Sequence, residues 1–181
     1  MQNKNKISKI YLASDHAGFE LKEKVKLYLE GIKNENKLEE NNLGNLDINF
    51  EIVDFGASEY DEVDDYTIYM HKAGHDLSID VNAGLKSRAI VFGGSGEGEA
   101  MVMNRYDNIR CTTYYGNNLD IVKLGRQHND SNAISLGARF VDYDECIKAI
   151  NIFLNTEFEG GRHISRVEKI DHKLGFLSRF F

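Results

Sequence analysis

Proline is absent from this chain, so every tight turn falls to its 16 glycines and to Asn and Asp. Those residues accept sharply turned backbone at little cost. Positive charge is also short, since 22 Lys and Arg face 29 Asp and Glu for a formal net charge of −7. No basic stripe exists to neutralise a nucleic acid or to hold an anionic membrane surface. A small anion gripped by a few local cations stays within reach. No apolar run approaches the roughly 18 residues that span a bilayer, and Met1 to Ile10 lacks the apolar centre of a signal peptide. Only two cysteines occur, Cys111 and Cys146, without metal-ligand spacing. The expectation is a cytoplasmic protein with reduced thiols and neither a nucleic-acid nor a membrane partner. Internal repeats and low-complexity linkers are missing too. The 181 residues, 41% of them hydrophobic, are therefore read as one domain, 1–181.

What is present alternates between strand and helix periods. Ile7 to Ala13 reads as a strand that halts at Ser14-Asp15-His16-Ala17-Gly18, after which Phe19, Leu21, Val25, Leu27 and Leu29 set a helical pattern. Residues 31–49 are polar and rich in Asn, Lys and Glu, and are taken as a surface insertion. Phe50 to Phe55 is a second strand, Glu59 to Asp65 an acidic loop, and Tyr66 to about Val81 a helix. Ala89 to Gly93 forms the third strand, followed by a glycine-dense turn and a helix through Asn104. Ile109 to Thr113 and Ala133 to Leu136 are strands four and five, with a helix around Asn118 to Gly125 between them. Helices near Asp144 to Leu154 and Ser165 to Leu177 close the chain, the latter within a C-terminal extension near 157–181. Strands alternating with helices imply parallel strands joined by right-handed crossovers. The expected fold is α/β, a Rossmann-like three-layer α/β/α sandwich on a five-stranded parallel sheet. Ligands of such sheets sit beyond the carboxyl ends of the strands, which brings Asp15-His16, Gly93 to Glu99 and the segment after Thr113 to one edge.

The glycine turn does not fit either common nucleotide motif. A Walker loop ends in Gly-Lys-Ser/Thr, whereas Gly98 is followed by Glu99, an anion that repels a triphosphate. A dinucleotide fingerprint needs G-x-G-x-x-G in the first strand–helix unit, and Gly94-x-Gly96-x-Gly98 has other spacing and lies in the third. Ser95, Glu97 and Glu99 beside backbone amides suit anion handling with a general base. Equally, Glu97 and Glu99 can simply favour a helix N-terminus. Asp15 can cap the following helix and His16 can be a solvated loop residue, or the imidazole can donate to an oxyanion. Arg162 and Arg166, four apart, can grip a phosphate from one helix face or can be surface arginines in salt bridges. His71 and His75 have no third ligand and are read as ordinary helix residues.

Nine segments taken together resemble the ribose-5-phosphate isomerase B family, which also contains the subunits of galactose-6-phosphate isomerase. They are Ser14 to Lys22, Asp54-Phe55-Gly56, Asp65-Tyr66, Gly93 to Glu99, Asn104, Ile109-Arg110, Arg126 to Asp130, Leu136 to Arg139 and Glu159 to His163, in the family's order. The resemblance implies aldose–ketose interconversion of a phosphorylated sugar through a cis-enediolate, with no metal and no organic cofactor. It implies homodimers or dimers of dimers whose sites draw on two subunits. By position, Glu99 looks like the base that moves a proton between C1 and C2, with Ser95 assisting proton movement between the two oxygens and the amides of Gly94, Gly96 and Gly98 stabilising the enediolate. His128, with Asp15, resembles the group that opens the furanose ring, and Asn129 a contact to a substrate hydroxyl. His16, Arg139, Arg162 and Arg166 resemble the phosphate clamp, and Tyr66 lines the sugar pocket.

Three departures from the family pattern stand out. Many members carry a cysteine base where this chain has Gly93, and the Gly-Gly-Ser-Gly-x-Gly-Glu form here resembles the subgroup that uses a glutamate. Cys111 and Cys146 lie outside that motif and are read as packing residues. The insertion at 31–49 is longer than usual, and Thr67 stands where a proline commonly follows the tyrosine. The leading expectation is isomerisation of ribose 5-phosphate to ribulose 5-phosphate. The same chemistry on a hexose or tetrose phosphate, and a subunit that binds sugar phosphate without turnover, are the alternatives.

Overall fold

The computed structural model describes residues 6–35 and 49–171. Its elements in chain order are β1 (Lys9–Ser14), α1 (Phe19–Glu35), β2 (Glu51–Asp54), α2 (Tyr66–Asn82), β3 (Arg88–Gly93) and α3 (Glu97–Met103). They continue with β4 (Cys111–Tyr114), α4 (Asp120–Asn129), β5 (Ala133–Gly137), α5 (Tyr143–Asn155), a 3-10 turn (Gly161–His163) and α6 (Ile164–Asp171). The five strands form one parallel sheet in the order β2-β1-β3-β5-β4. This is the expected α/β sandwich.

Strand alternation sorts the core into two layers. Ile10, Leu12, Ile90, Phe92, Ile134 and Leu136 point to the face covered by α1, α4 and α5, where Val25, Leu29, Val122, Ile150 and Phe153 meet them. Tyr11, Ala13, Ala89, Val91 and Ala133 point to the other face, under Met70, Ala73 and Leu77 of α2 and Met103 of α3. Leu12 pairs with Ile90 and Ile90 with Ile134, so one apolar row crosses the sheet. Strands buried on both faces read as nearly continuous apolar runs, as β3 does.

This layering positions the site. The helices that follow β1 and β5 pack on one face, while the helix that follows β3 packs on the opposite one. The chain leaving β3 thus parts from both neighbours at the carboxyl edge and opens a crevice there, as at a topological switch point.

Several boundaries differ from the sequence reading. α1 runs through Glu35, beyond the start of the expected insertion, because Ile32 continues the buried face of Val25 and Leu29 at 2% exposure. The rest of the insertion, 36–48, lies outside the described residues, as do 172–177 of the last expected helix. α4 continues through Asn129, past the expected end near Gly125, so Gln127, His128 and Asn129 form its last turn. Thr67 suits its place for a reason that proline does not share. Its amide and its Oγ1 both donate to the N-cap carboxylate of Asp65, at 2.9 and 2.8 Å.

Candidate active site

β3 delivers Gly93 to the middle of the carboxyl edge, and the loop after β5 ties the next residues down. The amide of Ala138 donates to the Gly93 carbonyl at 2.8 Å, and that of Arg139 to the Gly94 carbonyl at 3.1 Å. Ser135 Oγ donates to the Gly96 carbonyl at 2.6 Å. Gly96 caps α3 with φ +82°, and a Cβ there would also stand 3.0 Å from Ser135 Oγ, so conformation and space both require glycine. Ser95 is exposed on the turn, where its Oγ accepts the Glu97 amide at 3.3 Å.

Glu99 occupies the first turn of α3 and is 5% exposed. Its carboxylate lies against the Cα of Gly93, where a Cβ would collide with it. Glycine at the end of β3 therefore creates the space that the carboxylate fills. Burial raises the Glu99 pKa above the ordinary carboxylate range, against a backbone hydrogen bond that favours the anion, and the charges of Asp15 and Glu97 push it further up. Burial disfavours the thiolate form of both cysteines. Cys146 is fully buried, and its pKa is pushed up to about 12 by burial. Burial raises the half-buried Cys111 as well.

Besides Ser95, the structure brings four further expected side chains to this edge, those of Asp15, His16, Tyr66 and Arg139. Asp15 is 8% exposed, and its Oδ1 accepts the amides of Ala17 and Gly18 at 3.0 and 3.2 Å, so it does cap the turn into α1. His16 Nδ1 meets Asp64 Oδ1 at 2.7 Å. The Arg139 guanidinium lies over Gly94, and the Tyr66 ring over Gly98, each within about 3.2 Å of where a Cβ would stand. His16, Lys24 and Arg139 line a pocket of about 420 Å³ in which Glu20 supplies the opposing charge. A second cavity of about 770 Å³ lies along Tyr66, Glu97, Gly98 and Thr113. The cations of the first pocket suit a phosphate, and the second cavity adjoins the glycine turn through Glu97 and Gly98.

His128, Asn129, Arg162 and Arg166 stand elsewhere. α4 runs antiparallel to the strands and returns the chain to the amino edge, where Arg110 Nε at the start of β4 donates to the Asn129 carbonyl at 2.9 Å. The His128 ring stacks on His163 with centroids 4.3 Å apart and planes within 5°, and its Nε2 lies 3.5 Å from Glu159 Oε2. Arg162 sits in the 3-10 turn and Arg166 in α6, which follows it directly, and both are exposed. Ten residues of α4 span about 15 Å, whereas reacting groups must approach to about 3–3.5 Å. One chain alone does not bring His128 to Asp15 and Glu99.

Among the described residues, two side-chain clusters hold metal-ligating atoms within 4.8 Å of one another, His128-Glu159-His163 and Asp15-His16-Asp64. Parallel stacked imidazoles direct their lone pairs side by side and not to one point, and in the second cluster Oδ1 of each aspartate is already engaged by hydrogen bonds. Asp64 was the residue missed by sequence reading, because one carboxylate within an acidic loop carries no pattern of its own.

Residues 10–170 match the ribose/galactose isomerase family. The chain belongs to that family. It is 35% identical over 161 residues to a probable ribose-5-phosphate isomerase B of Mycoplasma pneumoniae, covering 89% of this chain and 91% of that protein. It is 33% identical to a putative sugar phosphate isomerase of Rickettsia conorii, covering 89% and 96%. Ribose-5-phosphate isomerase B of Mycoplasma genitalium, solved with bound ribulose-5-phosphate, superposes with a TM-score of 0.75 at 29% identity over 90% of this chain and 93% of that one. The Thermotoga maritima ribose 5-phosphate isomerase superposes at 0.73 with 32% identity, covering 93% and 99%. An isomerase of this family is thus what the carboxyl-edge geometry has to account for. No helix among the described residues is long and apolar enough to cross a membrane.

Proposed function

We propose that this protein interconverts ribose 5-phosphate and ribulose 5-phosphate, as one isomerase domain needing no metal or organic cofactor. The observation that carries the reading is the Glu99 carboxylate seated against Gly93, beside a pocket whose cations suit a phosphate. Glu99 takes the proton from C2 of the open-chain aldose and returns it to C1, while Ser95 helps the O2 hydroxyl proton pass to O1, so that atoms and charge balance over the cycle. Charge develops on the two oxygens of the cis-enediolate, where Ser95 and the amides of Gly94 to Gly98 are placed to stabilise it. His16 and Arg139 hold the phosphate from this chain. His128, Asn129, Arg162 and Arg166 come from a second copy in a homodimer or a dimer of dimers, where His128 opens the furanose ring beside Asp15. Their position at the far edge of the sheet supports this division, and two unpaired thiols suit a cytoplasmic setting.

Turnover of ribose 5-phosphate by the purified protein in excess chelator tests the reaction class and metal independence together. Glu99→Gln is expected to keep substrate binding and lose about 10²–10⁴ in kcat, the usual worth of a positioned base. In the wild type, kcat should fall as the pH drops through a Glu99 pKa lying above the ordinary carboxylate range. Full turnover by Glu99→Gln would remove Glu99 from the mechanism. Comparative rates on ribose 5-phosphate and on hexose and tetrose phosphates decide the length of the substrate.

A further inference from the structure

His16 is one of the cations of the anion pocket, and an imidazole there has two nitrogens between which something must choose. Asp64, in the loop between β2 and α2, makes that choice. Its Oδ1 accepts the His16 backbone amide at 3.0 Å and meets the ring at Nδ1 at 2.7 Å, so one oxygen holds both the backbone and the side chain. The Asp64 side chain is only 4% exposed, against 26% for His16, which makes the grip a buried one under a partly open ring. Tyr60 packs edge-on against the imidazole, with centroids 6.3 Å apart at 85°. With Nδ1 committed, Nε2 is the nitrogen left for a ligand in the pocket that Arg139 shares.

We infer that Asp64 is a positioning residue for the substrate phosphate, holding the His16 ring so that Nε2–H is offered to the anion beside Arg139. The inference rests on the isomerase reading only for the identity of the anion. The grip itself belongs to the free protein. The charged groups that face His16 are Asp64, Asp15 in its own turn, Arg139 after β5, and Glu20 and Lys24 of α1, with the Tyr60 phenol at its edge. The Asp64 hydrogen bond is the largest influence and favours the imidazolium; burial opposes it, Asp15 adds to it and Arg139 subtracts. The net effect keeps His16 protonated above the pH at which a free imidazole loses its proton. An imidazolium and a guanidinium can then each make a charge-assisted bond to the same phosphate.

The test pairs an NMR titration of the His16 ring in the free protein with steady-state kinetics on ribose 5-phosphate. In Asp64→Asn the His16 pKa should fall toward the ordinary value of about 6.5. KM at about pH 7.5 should rise roughly tenfold while kcat changes less than about twofold, the pattern of a lost ground-state contact. Asp64→Ser should shift the ring titration in the same direction. In a His16→Asn background, Asp64→Asn should move KM by less than about twofold, because the two residues act as one unit. A His16 titration unmoved by either substitution would overturn the assignment, as would KM effects that multiply independently in the double variant. Loss of thermal stability with an unchanged ring titration would mark Asp64 as merely structural and would equally overturn it. Failure of the wild type to turn over ribose 5-phosphate would sink the isomerase reading instead. The same titration, with inorganic phosphate as the probe anion, would still decide the role of Asp64.

Discussion

Glu99 is a carboxylate that the fold makes uncomfortable, and that discomfort has a measurable sign. Its folded pKa is raised by burial, so over the window between the ordinary carboxylate range and the raised value the native state binds more protons than the unfolded one. Its contribution to stability is therefore complete below the unfolded pKa and is lost as the pH rises through the folded one. Glu99→Gln, the variant expected to lose turnover, should for that reason be more stable than the wild type at neutral pH, by on the order of 1 kcal/mol or about 3 °C in Tm. Thermal melts at about pH 4 and pH 7 check this, since the gain should shrink at the lower pH. A variant less stable than the wild type at neutral pH would mean that the carboxylate is satisfied by contacts and not strained by burial. Glu99 was legible in the sequence because a glycine turn and two glutamates after an apolar strand form a pattern. The pairing of Asp64 with His16 was not, since 48 positions separate them and only the crossover from β2 into α2 brings them together.

At the scale of elements, the sheet and the order of its helices follow from apolar period, but their ends are set by tertiary contacts that period does not show. Ile32 extends α1 into a polar stretch, and Arg110 holds the last turn of α4 at the amino edge. Lys22 is a further case, a charged residue with 0% exposure on the buried face of α1. Its Nζ reaches both oxygens of Asp54 at 2.9 Å and the Ala57 carbonyl at 2.7 Å, which ties α1 to the end of β2 and the turn beyond it. Lys26 adds a second bond to Asp54 at 2.8 Å from a more exposed position. Lys22→Met leaves the Ala57 carbonyl without this partner and Asp54 with Lys26 as its remaining cation, and should cost about 2 kcal/mol, whereas Lys26→Ala should cost under about 1 kcal/mol. Denaturant melts of the two variants check the ratio, and equal losses would show that the tie does not depend on burial. Burial alone would raise the pKa of Asp54, but the bonds from Lys26, Lys22 and the Gly56 amide outweigh it and hold it below the ordinary range. The stability it contributes is thus present above its unfolded pKa and lost as the pH falls through the folded one.

The whole molecule divides its expected site residues between the two ends of one sheet. Asp15, His16, Tyr66, Ser95, Glu99 and Arg139 share the carboxyl edge, while the end of α4 and the start of the 3-10 turn set His128, Asn129 and Arg162 at the amino edge. Sequence order hides this, because His128 and Arg139 flank the same short strand and look like neighbours. They are separated by the length of β5, since residues before a parallel strand and residues after it lie at opposite edges. If two copies complete each site, a mixture of Glu99→Gln and His128→Asn chains should recover what neither variant has alone. Random exchange between dimers makes half of them mixed, and each mixed dimer holds one site with both native residues and one with neither. Activity should therefore rise to about a quarter of that of an equal amount of wild-type protein, once denaturation and refolding have exchanged the subunits. The measurement is turnover of ribose 5-phosphate before and after exchange, with each variant refolded alone as the reference. A mixture that stays at the level of its parents would place the whole site within one chain, and would require α4 to move far from where the contacts of Arg110 hold it.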